Sequence, residues 1–216
     1  MARKILSAIE IAAATRNGQA LVPEVTIYFE NTLFRGNRTT KYSAEHFNAF
    51  HSPNYPALAE TGIDIKYNYA FIHYHTKIGE LKINTEINSN VALLKIFPGI
   101  AKEFVLSVAR TKRMKGLVIE TYGSGNAPTE EWFFEILEEL ICKQVVILNI
   151  TQCSAGSVSM GRYETSLQMS KMGIVSGGDM TTEAAITKLM FLLGKNLEYG
   201  KLITALKMSL SGEINI

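Results

Sequence analysis

Val91-Ala92-Leu93-Leu94-Lys95-Ile96-Phe97 is a nearly continuous apolar run that stops at Pro98-Gly99. A run this short, bounded by breakers, reads as a strand buried on both faces. The motif then recurs. A helical spacing covers 101–110, Leu117-Val118-Ile119 is a second apolar run, a helical pattern covers 129–142, and Val145-Val146-Ile147-Leu148 is a third run. Further helical patterns fall near 165–172, 181–194 and 198–209. Apolar strands alternating with helices of about ten to fifteen residues predict a parallel sheet covered on both sides. The fold expected over 91–216 is therefore a Rossmann-like α/β domain.

Upstream the pattern is looser. Ile5, Leu6, Ile9, Ala12 and Ala13 follow the spacing of an amphipathic helix over about 3–15. Arg3-Lys4 ahead of Ile5 to Ala14 loosely imitates a signal peptide, but Glu10 interrupts the apolar run and favours the helix. Asn17-Gly18 leads to an apolar strand at 25–30, and Asn31-Thr32 can turn the chain into a short antiparallel return at Leu33-Phe34. From Tyr42 to Asn90 the signal fades. Ser52-Pro53-Asn54-Tyr55-Pro56 is loop, Ile63-Asp64-Ile65-Lys66-Tyr67 alternates like a half-exposed strand, and the stretch reads as a crossing segment and linker. The division expected is a partial N-terminal α/β domain over 1–90 and a C-terminal α/β domain over 91–216, with no internal repeat.

Composition excludes several classes. The 216 residues are 47% hydrophobic and 19% charged with a net charge of +2, the balance of an ordinary globular protein. No nucleic-acid partner is expected at so small a charge. No apolar run reaches the roughly 18 residues of a membrane span, so no membrane partner is expected either. Two cysteines, Cys142 and Cys153, make no disulfide framework and point to a reducing, cytoplasmic setting.

In open parallel sheets, ligands bind where turns leave the carboxyl ends of strands. Three polar clusters fit such ends: 35–41, 120–128, and 149–156. Gly123-Ser124-Gly125 lets a ligand approach the backbone, yet it lacks the third glycine of a dinucleotide fingerprint, and no Gly-Lys-Ser/Thr phosphate loop occurs. Structural turn is the simpler reading, with Pro128 in the first turn of a helix that Thr129 or Asn126 caps. His73-x-His75 has no third ligand placed, so no metal or other cofactor is expected. Glu130, Glu131, Glu135, Glu138 and Glu139 read as one solvated helix face, Met169, Met172 and Met180 as core filling, and Cys153 as a small packing residue.

Arg35-Gly36-Asn37-Arg38-Thr39-Thr40-Lys41, Phe47-Asn48-Ala49-Phe50-His51-Ser52-Pro53-Asn54, Tyr122-Gly123-Ser124-Gly125-Asn126-Ala127-Pro128, Asn149-Ile150-Thr151-Gln152-Cys153 and Gly177-Gly178-Asp179-Met180-Thr181 occur in this order. In order and spacing they resemble the C-terminal two-thirds of the cytoplasmic (type I) L-asparaginases. The resemblance implies an amidohydrolase that converts L-asparagine to aspartate and ammonia. A threonine is the nucleophile, activated by a second threonine with a lysine and an aspartate. It implies that Lys41 is that lysine, poised by burial and neighbouring groups. It implies that Asn126 reaches the active site of an adjacent subunit, that Tyr163 approaches the neighbouring site, and that the protein is a dimer or tetramer of identical chains. Thr151 and Cys153 match a second, allosteric asparagine site of some members. The arginine that grips the effector there falls at Glu120, and an acid repels a carboxylate, so that site is expected to be absent or altered.

The family's nucleophilic Thr-Gly-Gly-Thr-Ile and its Gly-Thr-Asp-Thr loop do not occur in these 216 residues. A truncated asparaginase, inactive by itself, is the reading that follows. The other is a non-catalytic small-molecule-binding or regulatory module of the same ancestry.

Overall fold

The structure is a computed structural model that describes residues 2–46, 48–74, 82–161 and 163–215. The chain forms two compact units, Met1–Ile83 and Asn84–Ile216.

The first unit opens with helix α1 (Ala2–Ala13) and a small hairpin of β1 (Thr15–Arg16) and β2 (Gln19–Ala20). Strands β3 (Thr26–Phe29) and β4 (Thr32–Arg35) follow. They are joined through Glu30 and Asn31, whose φ values of 47° and 69° give the double left-handed turn that matches strand twist. The turn thus sits one residue earlier than the sequence suggests. After a 3₁₀ turn at Gly36–Arg38, β5 (Thr40–Lys41) pairs with β6 (Phe50–His51). Strands β7 (Ala59–Thr61) and β8 (Ile65–Tyr67) complete an antiparallel sheet of order β3-β4-β7-β8. The small core of this unit holds Ile11, Leu33, Leu58, Ala59 and Ile72. Ile5, Leu6 and Ile9, the stripe that the helical spacing singles out, are instead exposed.

The second unit is a four-stranded parallel sheet in the order β9 (Val91–Lys95), β10 (Gly116–Thr121), β11 (Val146–Thr151), β12 (Val175–Ser176). Between successive strands run α2 (Lys102–Ala109), α3 (Glu131–Cys142) and α4 (Glu164–Lys171); α5 (Thr182–Gly194) and α6 (Tyr199–Lys207) close the unit. The strand alternation assigns the layers. Leu94, Leu117, Ile119 and Ile147 pack with Val105, Phe133, Leu137 and Met169 of α2, α3 and α4. Val118, Val146, Leu148 and Ile150 pack with Ala185, Leu189, Leu202 and Leu206 of α5 and α6. Adjacent residues on one strand therefore serve opposite cores, which is why β10 and β11 are apolar without alternation. The two faces are not equally spacious. A Cβ on Gly116 would lie 2.6 Å from Leu189 Cδ2, so α5 crosses β10 at a distance only glycine permits.

Helix α3 shows the expected division, with Glu131, Glu135, Glu138 and Glu139 exposed and Phe133, Ile136, Leu137 and Leu140 buried. Its N-terminus differs from expectation. Glu130 is the capping position and supplies no side-chain cap, so neither Thr129 nor Asn126 caps the helix. Met169 and Met180 are buried as expected.

A buried ion pair ties the C-terminal segment to α5. Lys188 Nζ lies 2.7 Å from Glu213 Oε1, both side chains almost wholly buried, and donates to Leu206 O at 2.9 Å and Met208 O at 2.5 Å. The Glu213 carboxylate also accepts from the N–H groups of Leu210 and Ser211. Burial alone would raise the Glu213 pKa, but the Lys188 hydrogen bond and these backbone donors outweigh it and hold the carboxyl below the usual glutamate range. A lowered folded pKa gives stability that is present above the unfolded value of about 4.3 and is lost as pH falls through the folded value. Removing one partner of such a pair costs about 3–5 kcal/mol. Glu213→Gln should therefore lower the denaturant midpoint of the second unit at pH 7. It should also flatten the acid limb below about pH 4.3, as read by circular dichroism melts across pH.

Candidate functional site

The turn after β4 is built by its two arginines. Arg35 forms a bidentate ion pair with Glu24, through Nε to Oε2 and through Nη2 to Oε1 at 3.0 Å, and Nη2 also donates to Phe71 O at 3.1 Å. Arg38 is 1% exposed and donates to Asn54 O at 3.0 Å. Both guanidinium carbons stand near the Tyr55 ring, 4.2 and 5.3 Å from its centroid. The Thr39 hydroxyl donates to Arg35 O at 2.6 Å. Charge, cation–π contact and hydrogen bonds thus fix the direction in which β5 leaves the turn. On β5, Thr40 lies opposite His51 and Lys41 opposite Phe50, so Thr40 and Lys41 point to opposite faces. Lys41 is exposed. Among the described residues nothing supplies the burial that the resemblance implies for it, and β5 pairs there with the two-residue strand β6.

At the carboxyl ends of the parallel strands, the second unit gathers most of the remaining candidates. Glu120 is 7% exposed. Its Oε1 accepts from the Thr182 hydroxyl at 2.6 Å, and its Oε2 is 3.3 Å from Lys95 Nζ, the register partner on β9. The acid at this position is thus already matched within the protein, mainly by the partly buried Thr182 contact, since Lys95 is largely exposed and its attraction is screened. Gln152 Nε2 donates to Ile96 O at 2.5 Å and Glu120 O at 2.8 Å, stitching the ends of β9 and β10. The Thr151 hydroxyl donates to Gly123 O at 2.5 Å and accepts from the Cys153 N–H at 3.0 Å. Cys153 itself is exposed, contrary to the expectation of a packing residue, because it stands two residues beyond the end of β11.

Asn126 and Tyr163 are brought together at the start of α4. The Asn126 backbone bridges to Tyr122, and its side-chain oxygen accepts from the Thr165 hydroxyl at 3.1 Å. Tyr163 is the N-cap residue of that helix, its N–H donating to Ser166 Oγ at 3.1 Å while its side chain stays exposed. Lys41 belongs to the first unit and Asn126, Tyr163, Glu120, Thr151 and Cys153 to the second.

Sequence reading missed Lys95, Thr182 and Thr165, each of which holds a candidate side chain, and the buried pair of Thr121 and Asn149, whose hydroxyl donates to Oδ1 at 2.7 Å. Only the strand register makes Lys95 a neighbour of Glu120. His73 is present at the edge of the described residues, while its presumed partner His75 lies outside them, and no group of three or more potential metal ligands occurs among the described residues.

These observations define an α/β protein whose polar turns collect beyond the carboxyl ends of a doubly covered parallel sheet, the place where such sheets take ligands. Comparison with known proteins narrows the class. The sequence model of the Glutaminase/Asparaginase C-terminal domain matches residues 90–205, and that of the Asparaginase N-terminal domain matches residues 2–73. L-asparaginase 1 of Escherichia coli K12 is 39% identical over 193 residues, which are 89% of this chain and 56% of that protein. The 60 kDa lysophospholipase of Mus musculus is 40% identical over 185 residues, 86% of this chain and 32% of that protein. Among solved structures, L-asparaginase I of Vibrio cholerae superimposes with a TM-score of 0.88 at 33% identity, covering 100% of this chain and 63% of that one. The chain belongs to the asparaginase family, and it spans 56% of the Escherichia coli L-asparaginase 1 and 63% of the Vibrio cholerae chain.

Arg35→Lys keeps the charge but loses the fork that grips Glu24 and stacks on Tyr55. It should destabilise the first unit by about 2 kcal/mol or more, seen as an earlier unfolding transition of that unit by hydrogen exchange, with the second unit unchanged.

Proposed function

We propose that this chain supplies part of the catalytic apparatus of an L-asparaginase, with Lys41 as proton relay and Asn126 and Tyr163 as substrate-side groups. What supports the reading above all is that the two family matches run through every residue given a role, Lys41 in the first and Asn126 and Tyr163 in the second.

In this reading a threonine hydroxyl attacks the side-chain amide carbon of L-asparagine, its proton passing through a second threonine toward Lys41, which returns a proton to the departing amide nitrogen. Ammonia leaves, and water then hydrolyses the acyl-enzyme to aspartate and regenerates the hydroxyl. The threonines and aspartate lie outside these 216 residues. Asn126 takes part across a subunit boundary in a cytoplasmic dimer or tetramer. The exposure of Lys41 favours a second reading, a non-catalytic small-molecule-binding or regulatory module of the same ancestry.

The purified 216-residue chain should release no ammonia from L-asparagine above a protein-free control. Turnover that disappears in Lys41→Ala would refute the claimed dependence on outside residues.

The allosteric asparagine site is altered in this reading, because Glu120 presents a carboxylate already held by Thr182 and Lys95. Calorimetry should detect second-site binding of L-asparagine to Glu120→Arg and none to the natural sequence. Equal binding to both contradicts the assignment.

A further inference from the structure

Arg110-Thr111-Lys112-Arg113-Met114-Lys115, the segment between α2 and β10, holds four cations and no acid. Lys143, the C-cap residue of α3, joins Arg110 and Arg113 around a pocket of about 310 Å³. The floor of the pocket is apolar, with Met114, Leu140 and Val145 buried. Its three cations are exposed, and no carboxylate is among its lining residues. It lies at the amino ends of β10 and β11, the opposite end of the sheet from Glu120 and Thr151.

Cations beside helix ends ordinarily answer the helix dipole, but here they exceed it. The C-termini of α2 and α3 together present about one negative charge. Glu139, 2.5 Å from Lys143, adds one more. Five cations, Lys112 and Lys115 included, stand against those two. The helix-end carbonyls also have main-chain donors already. The Arg110 N–H donates to Leu106 O at 2.9 Å, that of Thr111 to Val108 O at 3.0 Å, and that of Val145 to Leu140 O at 3.0 Å. Among the described residues, the guanidinium groups of Arg110 and Arg113 make no hydrogen bond or ion pair. Arg113 moreover has a φ of 64°, a left-handed conformation that side chains other than Asn and Asp rarely adopt. Backbone held this way gathers at ligand sites.

We propose that this pocket binds a phosphate monoester of mononucleotide size. Arg110 and Arg113 take the phosphate, since each guanidinium offers it two parallel donors. The Thr111 hydroxyl on the same rim supplies another, and the ring body lies on Met114, Leu140 and Val145. The volume falls at the low end of the roughly 300–1,000 Å³ of small-ligand sites, which suits one nucleotide and is small for a dinucleotide. A nucleic-acid strand is a poorer occupant, because the net charge of the whole chain is only +2.

Calorimetry on the 216-residue chain, with AMP as the probe, should show saturable binding. Inorganic phosphate should bind at least tenfold more weakly and adenosine not at all. Arg113→Gly removes the guanidinium while suiting the left-handed backbone, so it should hold or raise the melting temperature and weaken AMP at least tenfold. Lys102→Ala, at the other end of α2, should leave AMP binding unchanged. Absence of AMP binding, adenosine binding as tightly as AMP, or full affinity in Arg113→Gly each overturns the proposal. So does a preference for sulfate, for a single-stranded oligonucleotide or for vesicles carrying phosphatidic acid. Ammonia release plays no part in this readout, so failure here leaves the asparaginase reading standing, and the reverse holds too.

Discussion

A parallel sheet can exist in water only if both its faces are covered, and the second unit is organised around meeting that demand. The burial of Val118 against α5 and of Leu117 against the opposite helices follows from it. So does the close crossing of α5 over Gly116. With the faces closed, the polar ends of β9, β10 and β11 become the place where side chains can converge without disturbing a core. Glu120, Thr121, Asn149, Thr151 and Gln152 use it, and their hydrogen bonds run between strands, so the sheet that buries the apolar residues also sets the geometry of the polar ones.

The first unit meets no such demand internally. Its core is a handful of residues, and its rigidity comes from Arg35 and Arg38 clamped on Glu24, Tyr55 and backbone carbonyls. Two arginines that read from sequence as polar turn residues are among the most buried side chains of the protein. The arginines of the family motif are structural here, and Lys41, the residue proposed as proton relay, is left exposed.

This contrast explains what the sequence disclosed. Strands β9, β10 and β11 and the six described helices were legible because apolar runs of three residues or more between breakers, or several helical turns, carry a signal that local composition cannot hide. Strands β6, β7 and β12 were not, since two or three residues cannot display an alternation. The candidate site was legible as motifs, Lys41, Asn126 and the Thr151–Cys153 turn, because the family resemblance lies in contiguous residues. Lys95 and Thr182 were invisible for the opposite reason: they meet Glu120 from other elements, and register is a property of the fold. The outward stripe of α1 was legible as a helix and misleading as to its buried side, since periodicity identifies an apolar face without saying what covers it.

The placement of Lys188 carries one more consequence. Its amine is enclosed by two carbonyls and a carboxylate contributed by the last turn of α6 and the segment after it, so it is hidden for as long as α5, α6 and the C-terminal segment stay assembled. Amine-directed reagents that label the surface lysines at once will reach this one only in molecules whose second unit has opened. One native side chain thus serves as an internal clock for that opening, with no probe introduced.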